Sequence, residues 1–200
     1  MQPRSLGTIQ GKKVRMKRLI PTLLIGAVAV QMLLAQSALL VPAAAQTPRS
    51  QDAKSCLKFV NDFYAGYLAS GKNADPLRLA LKEKGSNFSK ELVQRLNEDY
   101  RAAAKSPDEI VGLDFDPVLN GQDFADKYVA TKVTKKGNRY LVEVFAVYGG
   151  KRDSKPAVIP ELQRSGSRWV FMNFHYPDHP KPDNLLNILK RLKADRDKGG

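Results

Sequence analysis

Cysteine is nearly absent from this chain of 200 residues, in which Cys56 is the only one. A disulfide needs two thiols, so an internal disulfide is excluded. An acylated lipoprotein would need a cysteine directly after an apolar leader, whereas Cys56 follows the polar stretch "TPRSQDAKS". Cys56 lies among apolar residues at helical spacing, where a free thiol behaves as a small hydrophobic group. We therefore expect it to be buried.

Histidine is also scarce, and the two present are His175 and His179. Their spacing would suit two zinc ligands on a helix, but Pro177 and Pro180 are incompatible with that helix. A third ligand is not evident in the sequence. There is no G-x-S-x-G motif and no serine–histidine–acid arrangement. We therefore predict no metal, no other cofactor and no assigned catalytic residue.

The first 45 residues lack acidic side chains and contain six basic ones. A basic start, the apolar run Leu19–Val41 and the small-residue ending "PAAAQ" are typical of a signal peptide, here cleaved near Ala45. The sequence therefore predicts export to the periplasm or secretion, without stable membrane insertion after cleavage. An uncleaved anchor is the alternative, because Leu19–Val41 exceeds the roughly 20 residues of a membrane span. Translation could start at Met1 or at Met16.

Cleavage would leave 155 residues with 27 basic and 20 acidic side chains, a net charge of +7 rather than +13. This length suits one domain with a core of its own. A nucleic-acid partner is not expected, because no recognition motif accompanies the basic charge. We predict a signal peptide at 1–45, a disordered linker at 46–52, a single α+β domain at 53–194 and a disordered tail at 195–200.

Helical periodicity dominates the N-terminal half of the mature chain. The segment "SCLKFVNDFYAGYLASG" predicts a helix ending at Gly71, and a short helix runs from Pro76 to Gly85. A third begins near Ser89 and ends before Pro107. The first helix has apolar residues at spacings of three and four, which predicts a buried stripe. That stripe comprises Cys56, Phe59, Val60, Phe63, Tyr64, Tyr67 and Leu68.

The period changes to two after residue 126, which predicts an antiparallel meander. Its strands are "KYVATKV", "RYLVEVFAVY", "PAVIPEL", in which Pro160 favours an edge or a bulge, and "RWVFMNFHY". In the last strand we expect Phe171 and Phe174 on opposite faces. "NLLNILKRLKADRDKGG" predicts a final helix. The fold class is therefore α+β, with N-terminal helices packed on a curved, cone-like antiparallel sheet and a C-terminal helix.

Between the two halves lies the acidic stretch "GLDFDPVLNGQDF", Gly112–Phe124. Asp114, Asp116 and Asp123 offer the oxygen ligands that calcium prefers, but a calcium loop starting at Asp114 fails at Val118 and Ala125. Aspartate and asparagine side chains also bond to their own backbone in turns, and glycine accepts positive φ. Residues 108–126 hold six acidic and no basic side chains, whereas 127–168 hold ten basic and three acidic, which predicts ion pairs between this connector and the sheet. We therefore interpret this acidic corner as structural rather than functional.

Several segments, in this order, resemble one bacterial family: "FVNDFYAGYL", "FSKELVQRL", "LDFDPVLNGQDF", "YLVEVFAVYGG", "RWVFMNFHYP" and "NLLNILKRL". The family is the exported bacterial domain of unknown function 3828, and the resemblance covers about Ala53 to Lys193. It implies the cone-shaped α+β fold of nuclear transport factor two, which ketosteroid isomerase shares. The resemblance implies no established activity and no catalytic residues.

The sequence thus predicts a non-catalytic binding or envelope-interaction domain. We expect the aromatic interior, lined by Tyr64, Tyr128 and Trp169, to hold a small apolar ligand or to receive an envelope protein. One alternative is an isomerase-like or hydrolytic enzyme, which would need a buried carboxylate within reach of a tyrosine in an open pocket. Another is a protein-interaction or immunity-type module, which would expose an extended apolar patch.

Overall fold

The computed structural model describes residues 48–70, 75–106, 111–177 and 182–198. Four helices occur in these residues: α1 Pro48–Ser70, α2 Pro76–Lys84, α3 Lys90–Ala103 and α4 Leu185–Lys198. A 3-10 turn, Gly85–Asn87, joins α2 to α3. The predicted signal peptide, the helix-ending residues Gly71 and Pro107, and His179 lie outside the described residues.

The starts of α2 and α3 follow from their capping residues. The Asp75 carboxylate accepts a hydrogen bond from the Arg78 amide at 2.8 Å, and Pro76 occupies the first turn, where no donor is lost. The Ser89 hydroxyl accepts from the Leu92 amide at 3.1 Å. Both helices therefore begin where the sequence predicts.

The predicted stripe of α1 faces the core. Cys56, Val60, Phe63, Tyr64 and Tyr67 are buried, and the other predicted members are partly buried against them. The burial predicted for Cys56 is confirmed. That burial, assisted by the charge of Asp52, raises the pKa of the thiol to about 12, so the nucleophilic thiolate is disfavoured at neutral pH.

The strands form one antiparallel sheet in the order β1-β2-β4-β5-β6, with β3 paired to β2. They span β1 Lys127–Lys136, β2 Arg139–Tyr148, β3 Lys151–Arg152, β4 Ile159–Ser165, β5 Arg168–Tyr176 and β6 Asp183–Asn184. The sheet is open rather than closed into a barrel. The α+β class is confirmed, because α1 packs on β1 and β2, and α4 packs on β5 and α3.

Two turns are shorter than the sequence predicts. Lys136 pairs directly with Arg139, and Ser165 with Arg168, so each hairpin turn contains only two residues. Gly137 and Gly166 occupy these turns with φ of 59° and 62°, a conformation that favours glycine. The strands therefore continue into exposed polar residues that the sequence assigned to the turns. Backbone hydrogen bonds between the two strands satisfy the amides and carbonyls of these residues.

A bulge in β5 changes the predicted alternation of its side chains. Leu162 lies opposite Phe171, whereas the preceding Glu161 lies opposite Asn173, so Met172 is the extra residue. The rings of Phe171 and Phe174 consequently stack, with centroids 5.3 Å apart. Their predicted placement on opposite faces is wrong. The edge or bulge predicted for the strand of Pro160 is not found there, because β4 lies between β2 and β5 and the extra residue belongs to β5.

The ends of the described chain differ from the disordered segments expected at 46–52 and 195–200. Helix α1 begins at Pro48, and α4 continues through Lys198. Within α4, Arg196 forms an ion pair with Asp99 of α3 at 2.7 Å, which gives the last turn a tertiary contact. None of the described helices combines the length and the apolar character needed to cross a membrane.

Candidate functional site

Three buried tyrosines attach the segment between α3 and β1 to the core. We call residues 111–126 of this segment the acidic connector. Tyr67 donates to the Asp116 carboxylate at 2.7 Å, and Tyr64 donates to the Val118 carbonyl at 2.8 Å. Tyr176 of β5 donates to the Pro117 carbonyl at 2.9 Å. Helix α1 and the sheet thus fix three consecutive connector residues.

The carboxylate of Asp116 also organises the turn that follows it. Its Oδ1 accepts from the amides of Val118 at 2.8 Å and Leu119 at 3.1 Å, while Oδ2 accepts from Tyr67. This confirms that the aspartate bonds to its own backbone. The left-handed residue of the turn is Asn120, with φ of 59°, rather than Gly121 as predicted.

The pKa values of Asp116 and Tyr67 are both raised, and the Tyr67 hydroxyl remains a hydrogen-bond donor. Burial raises the pKa of Asp116 above its usual value, although its three hydrogen bonds act in the opposite direction. Burial also raises the pKa of Tyr67, and the neighbouring charge of Asp116 adds to the shift. The phenol therefore stays protonated and donates to the carboxylate across the physiological pH range.

A cavity of about 420 Å³ opens beside Asp116, between α2, α3 and the acidic connector. We call it the connector cavity. Most of its walls are apolar, from Pro76, Leu77, Leu96, Ala103, Leu113, Phe115, Pro117 and Phe124. Its volume lies in the roughly 300–1,000 Å³ range of small-molecule sites.

Carboxylates supply the charge in the connector cavity, and no basic side chain lines it among the described residues. Asp75 accepts from the Tyr100 hydroxyl at 3.0 Å, and burial raises the pKa of Tyr100, with the charge of Asp75 as the next cause. Arg196 pairs with Asp99, whereas no basic side chain of the described residues forms an ion pair with Asp75 or Asp116. The polar groups of the cavity therefore favour a ligand with a neutral or positively charged polar end.

The three aspartates of the predicted acidic corner occupy different environments. Asp116 lies in the wall of the connector cavity, and Asp114 lines it with an exposed side chain. Asp123 is exposed and is not a lining residue. Neither Asp114 nor Asp123 forms an ion pair with a basic residue of the described sheet, so pairing between connector and sheet does not involve them.

The aromatic residues predicted to line a ligand pocket each have a partner in the core. Tyr64 is fully buried and stacks with Tyr128 at 5.7 Å between ring centroids. The indole of Trp169 donates to the Ser55 hydroxyl at 3.1 Å. None of the three lines the connector cavity. Their role in ligand binding stays a prediction.

Sequence reasoning missed three members of the site: Asp75, Tyr67 and Tyr100. Tyr67 and Tyr100 lie on helix faces that were read as core, and Asp75 directly precedes a helix-starting proline. The contact between Tyr67 and Asp116 joins residues 49 positions apart. No local spacing signals a contact over that distance, so only the tertiary fold reveals it.

The other candidate chemical groups have structural partners. His175 contacts Glu161 at 2.8 Å on the neighbouring strand, and Glu161 also pairs with Arg139. Within the described ranges, no group of three histidine, cysteine, aspartate or glutamate side chains is placed to hold a metal ion. Among the described residues, the remaining candidates for a chemical role are Asp116 with Tyr67 and Asp75 with Tyr100.

The raised pKa of Asp116 predicts a pH-dependent stability. The folded state holds this proton more tightly than the unfolded state, so the group's contribution is lost as pH rises through its folded pKa. We compare the unfolding free energies of the wild type and of Asp116→Asn, which cannot titrate at this position. The wild-type value minus the variant value should fall as pH rises above 3.8, the ordinary pKa of an aspartate. Urea unfolding at a series of pH values, followed by fluorescence of the single tryptophan, measures this difference. A difference that rises with pH would mean that the hydrogen bonds outweigh burial.

Comparisons of the chain with protein-family models, with curated proteins and with solved structures found no match. Membership of the family that the sequence resembles therefore stays a prediction. Function is accordingly inferred from the residues of the cavity itself.

Proposed function

We propose that this protein is an exported, non-catalytic binding domain that holds a small, largely apolar molecule in the connector cavity. The observation that supports this proposal is a cavity of about 420 Å³ with mostly apolar walls and a few convergent polar groups. Such a combination is the usual form of a small-molecule site, in which apolar walls contribute affinity and polar groups orient the ligand.

The chemistry of the polar end narrows the ligand. Asp75 and Asp116 would repel a carboxylate or phosphate, whereas an amine, an amide or a hydroxyl could donate to them. Phe115 and Phe124 offer aromatic faces for the apolar part, and Phe124 is 44% exposed at the mouth. The ligand we propose is therefore an apolar molecule with a neutral or cationic donor group.

Asp116 is poorly placed for proton transfer. A carboxylate has about four lone-pair sites, and Asp116 already accepts three hydrogen bonds from the protein. Accepting a substrate proton at the remaining site would neutralise the carboxylate and weaken these three bonds. Because those bonds fix the connector, we favour binding over catalysis.

Filling the cavity should abolish ligand retention. Ala103 lines the cavity near the end of α3, and an indole at this position would occupy much of the space. We expect native mass spectrometry of the wild type, purified from the exported fraction without detergent, to show a retained small molecule. Ala103→Trp should lose that molecule.

Ala102→Trp is the matched control, because Ala102 is half-buried in the same helical turn and does not line the cavity. This control should retain the molecule to the same extent as the wild type. Equal retention by all three proteins would place the ligand elsewhere. A wild type without any retained molecule, tested against a library of apolar amines and amides without binding, would contradict the proposal.

One observation favours the isomerase-like or hydrolytic alternative. Asp116 lies 2.7 Å from the Tyr67 hydroxyl at the wall of an open cavity, which is the arrangement that such an enzyme would need. The enzyme alternative would be supported if the wild type converted the retained molecule chemically and Asp116→Asn did not. For a protein-interaction module, the described residues offer two exposed large hydrophobic side chains, Phe124 and Tyr148.

A further inference from the structure

A second cavity, of about 690 Å³, is lined by residues of the 3-10 turn, the start of α3, and strands β4 and β5. It runs between the start of α3 and the β4–β5 hairpin, and we call it the basic groove. The wall is continuous, because Phe88 forms a parallel bridge with Phe171 and the Ser89 amide donates to the Phe171 carbonyl at 2.8 Å. The groove shares no lining residue with the connector cavity.

The floor of the basic groove is apolar. It is formed by the buried Phe88 and by Val93 and Met172, which are both half-buried. Met172 is the extra residue of the β5 bulge, so the bulge helps to shape this floor. An apolar chain laid along these side chains would remove them from water, which is favourable for binding.

The rim of the groove is positively charged. Lys90, Arg164 and Arg168 line it with exposed side chains, and no acidic residue is among the lining residues. Across the described part of the chain, none of the three forms an ion pair with a carboxylate. The Arg164 guanidinium lies 5.1 Å from the centroid of the Trp169 ring. Three cations that pair with no described carboxylate therefore border an apolar floor.

We propose that the basic groove binds a single-chain amphiphile, a hydrocarbon chain with an anionic head group such as a carboxylate. The apolar floor takes the chain, and the cations on the rim take the head group. Charge complementarity favours a negatively charged head group, because the residues that line the groove include three cations and no carboxylate.

The same features disfavour other anionic partners. A polynucleotide or a free phosphate would leave Phe88, Val93 and Met172 in contact with water, so the apolar floor would add no affinity. A membrane surface would present head groups to the rim, but it would have to release a lipid for a chain to reach the concave floor. A free single-chain amphiphile uses both parts of the groove at once.

Dodecanoate is the probe for this site, used below its critical micelle concentration. The chain contains one tryptophan, Trp169, which contacts a groove-lining arginine. We expect dodecanoate to change the tryptophan emission with saturation, and calorimetry to give one site per chain. Dodecyltrimethylammonium, with the same chain and the opposite charge, should bind at least about tenfold more weakly, as should acetate, which lacks the chain.

Two charge-neutralising variants separate the groove from general electrostatic attraction. Lys90→Gln combined with Arg168→Gln removes two of the three cations and leaves Arg164 in contact with Trp169. Because two of the three charged contacts with the head group are lost, we expect dodecanoate affinity to fall about tenfold at low salt. Lys136→Gln combined with Lys151→Gln makes the same change in net charge at two exposed residues outside the groove, and should leave affinity unchanged.

The following results would overturn the proposal. The first is no binding of dodecanoate by fluorescence or calorimetry, and the second is equal binding of the cationic amphiphile. The third is an equal loss of affinity in both double variants, which would indicate net charge rather than the groove. Binding to phosphatidylglycerol vesicles without binding to dodecanoate would assign the rim to a membrane surface and likewise overturn the proposal.

Discussion

Replacing Asp116 with alanine is expected to lower the free energy of unfolding by about 3–5 kcal/mol, since each of three partly buried donors would lose its acceptor at about 1–3 kcal/mol. These donors are the amides of Val118 and Leu119 and the hydroxyl of Tyr67. All three residues are nearly inaccessible to solvent, so only water that enters from the connector cavity could replace the carboxylate. Equilibrium urea unfolding followed by Trp169 fluorescence measures the loss.

The other aspartates of the acidic corner provide the control. Asp114 and Asp123 are exposed, and their replacement by alanine should change stability by no more than about 0.5 kcal/mol. Asp116→Asn keeps one carbonyl oxygen for the two amides and should lie between the wild type and Asp116→Ala. Equal unfolding free energies of Asp116→Ala and Asp123→Ala would show that the connector does not depend on the Asp116 carboxylate. A reactive role for Asp116 would then be favoured over a structural one.

Local pattern was sufficient for most elements of this fold. The spacing of Cys56, Val60 and Phe63 predicted the buried face of α1, and the β-branched and aromatic run of β2 predicted that strand with its observed bounds. These elements are recognisable because each buries one face or lies inside the sheet. A residue's periodic position then reports its burial directly.

Non-local contacts were not predictable in the same way. The bulge at Met172 leaves no local signal, because β5 is apolar on both faces and a shifted register buries similar side chains. The sequence supplied Asp116 as a candidate but not Tyr67 or Tyr100 as its neighbours. Turn chemistry and site chemistry use the same residue types, and only the tertiary contacts show that Asp116 serves the turn at the wall of a cavity.

The two cavities differ in charge because different elements supply their polar residues. The connector cavity takes its carboxylates from a segment without basic residues, and the basic groove takes its cations from α3 and from a sheet rich in lysine and arginine. Neutral or cationic apolar molecules and anionic amphiphiles would therefore bind at separate places. A variant that blocks one cavity should leave the other functional, so the two proposals can fail independently.

Replacing Arg196 with methionine is expected to destabilise the fold by about 3 kcal/mol, the lower end for removal of one partner from a buried ion pair. Its guanidinium donates to the Asp99 carboxylate at 2.7 Å and to the Val111 carbonyl at 3.1 Å. Asp99 is only 5% exposed and also accepts from the Leu113 amide at 2.9 Å. The substitution would leave a buried charge unpaired and would remove the Arg196 contacts of α4 with α3 and with the connector. Urea unfolding gives the magnitude.

Lys198→Met is the matched control for Arg196→Met, because it removes the same charge from the last turn of α4. The Lys198 side chain is 78% exposed and pairs with Asp195 at 3.5 Å, so its loss should cost at most about 1 kcal/mol. Combining Arg196→Met with Asp99→Asn should restore part of the lost stability, since the second change removes the unpaired charge. Equal stability of Arg196→Met and Lys198→Met would show that α4 is held by its leucines alone. The buried ion pair would then fix the connector's position without stabilising the helix that carries it.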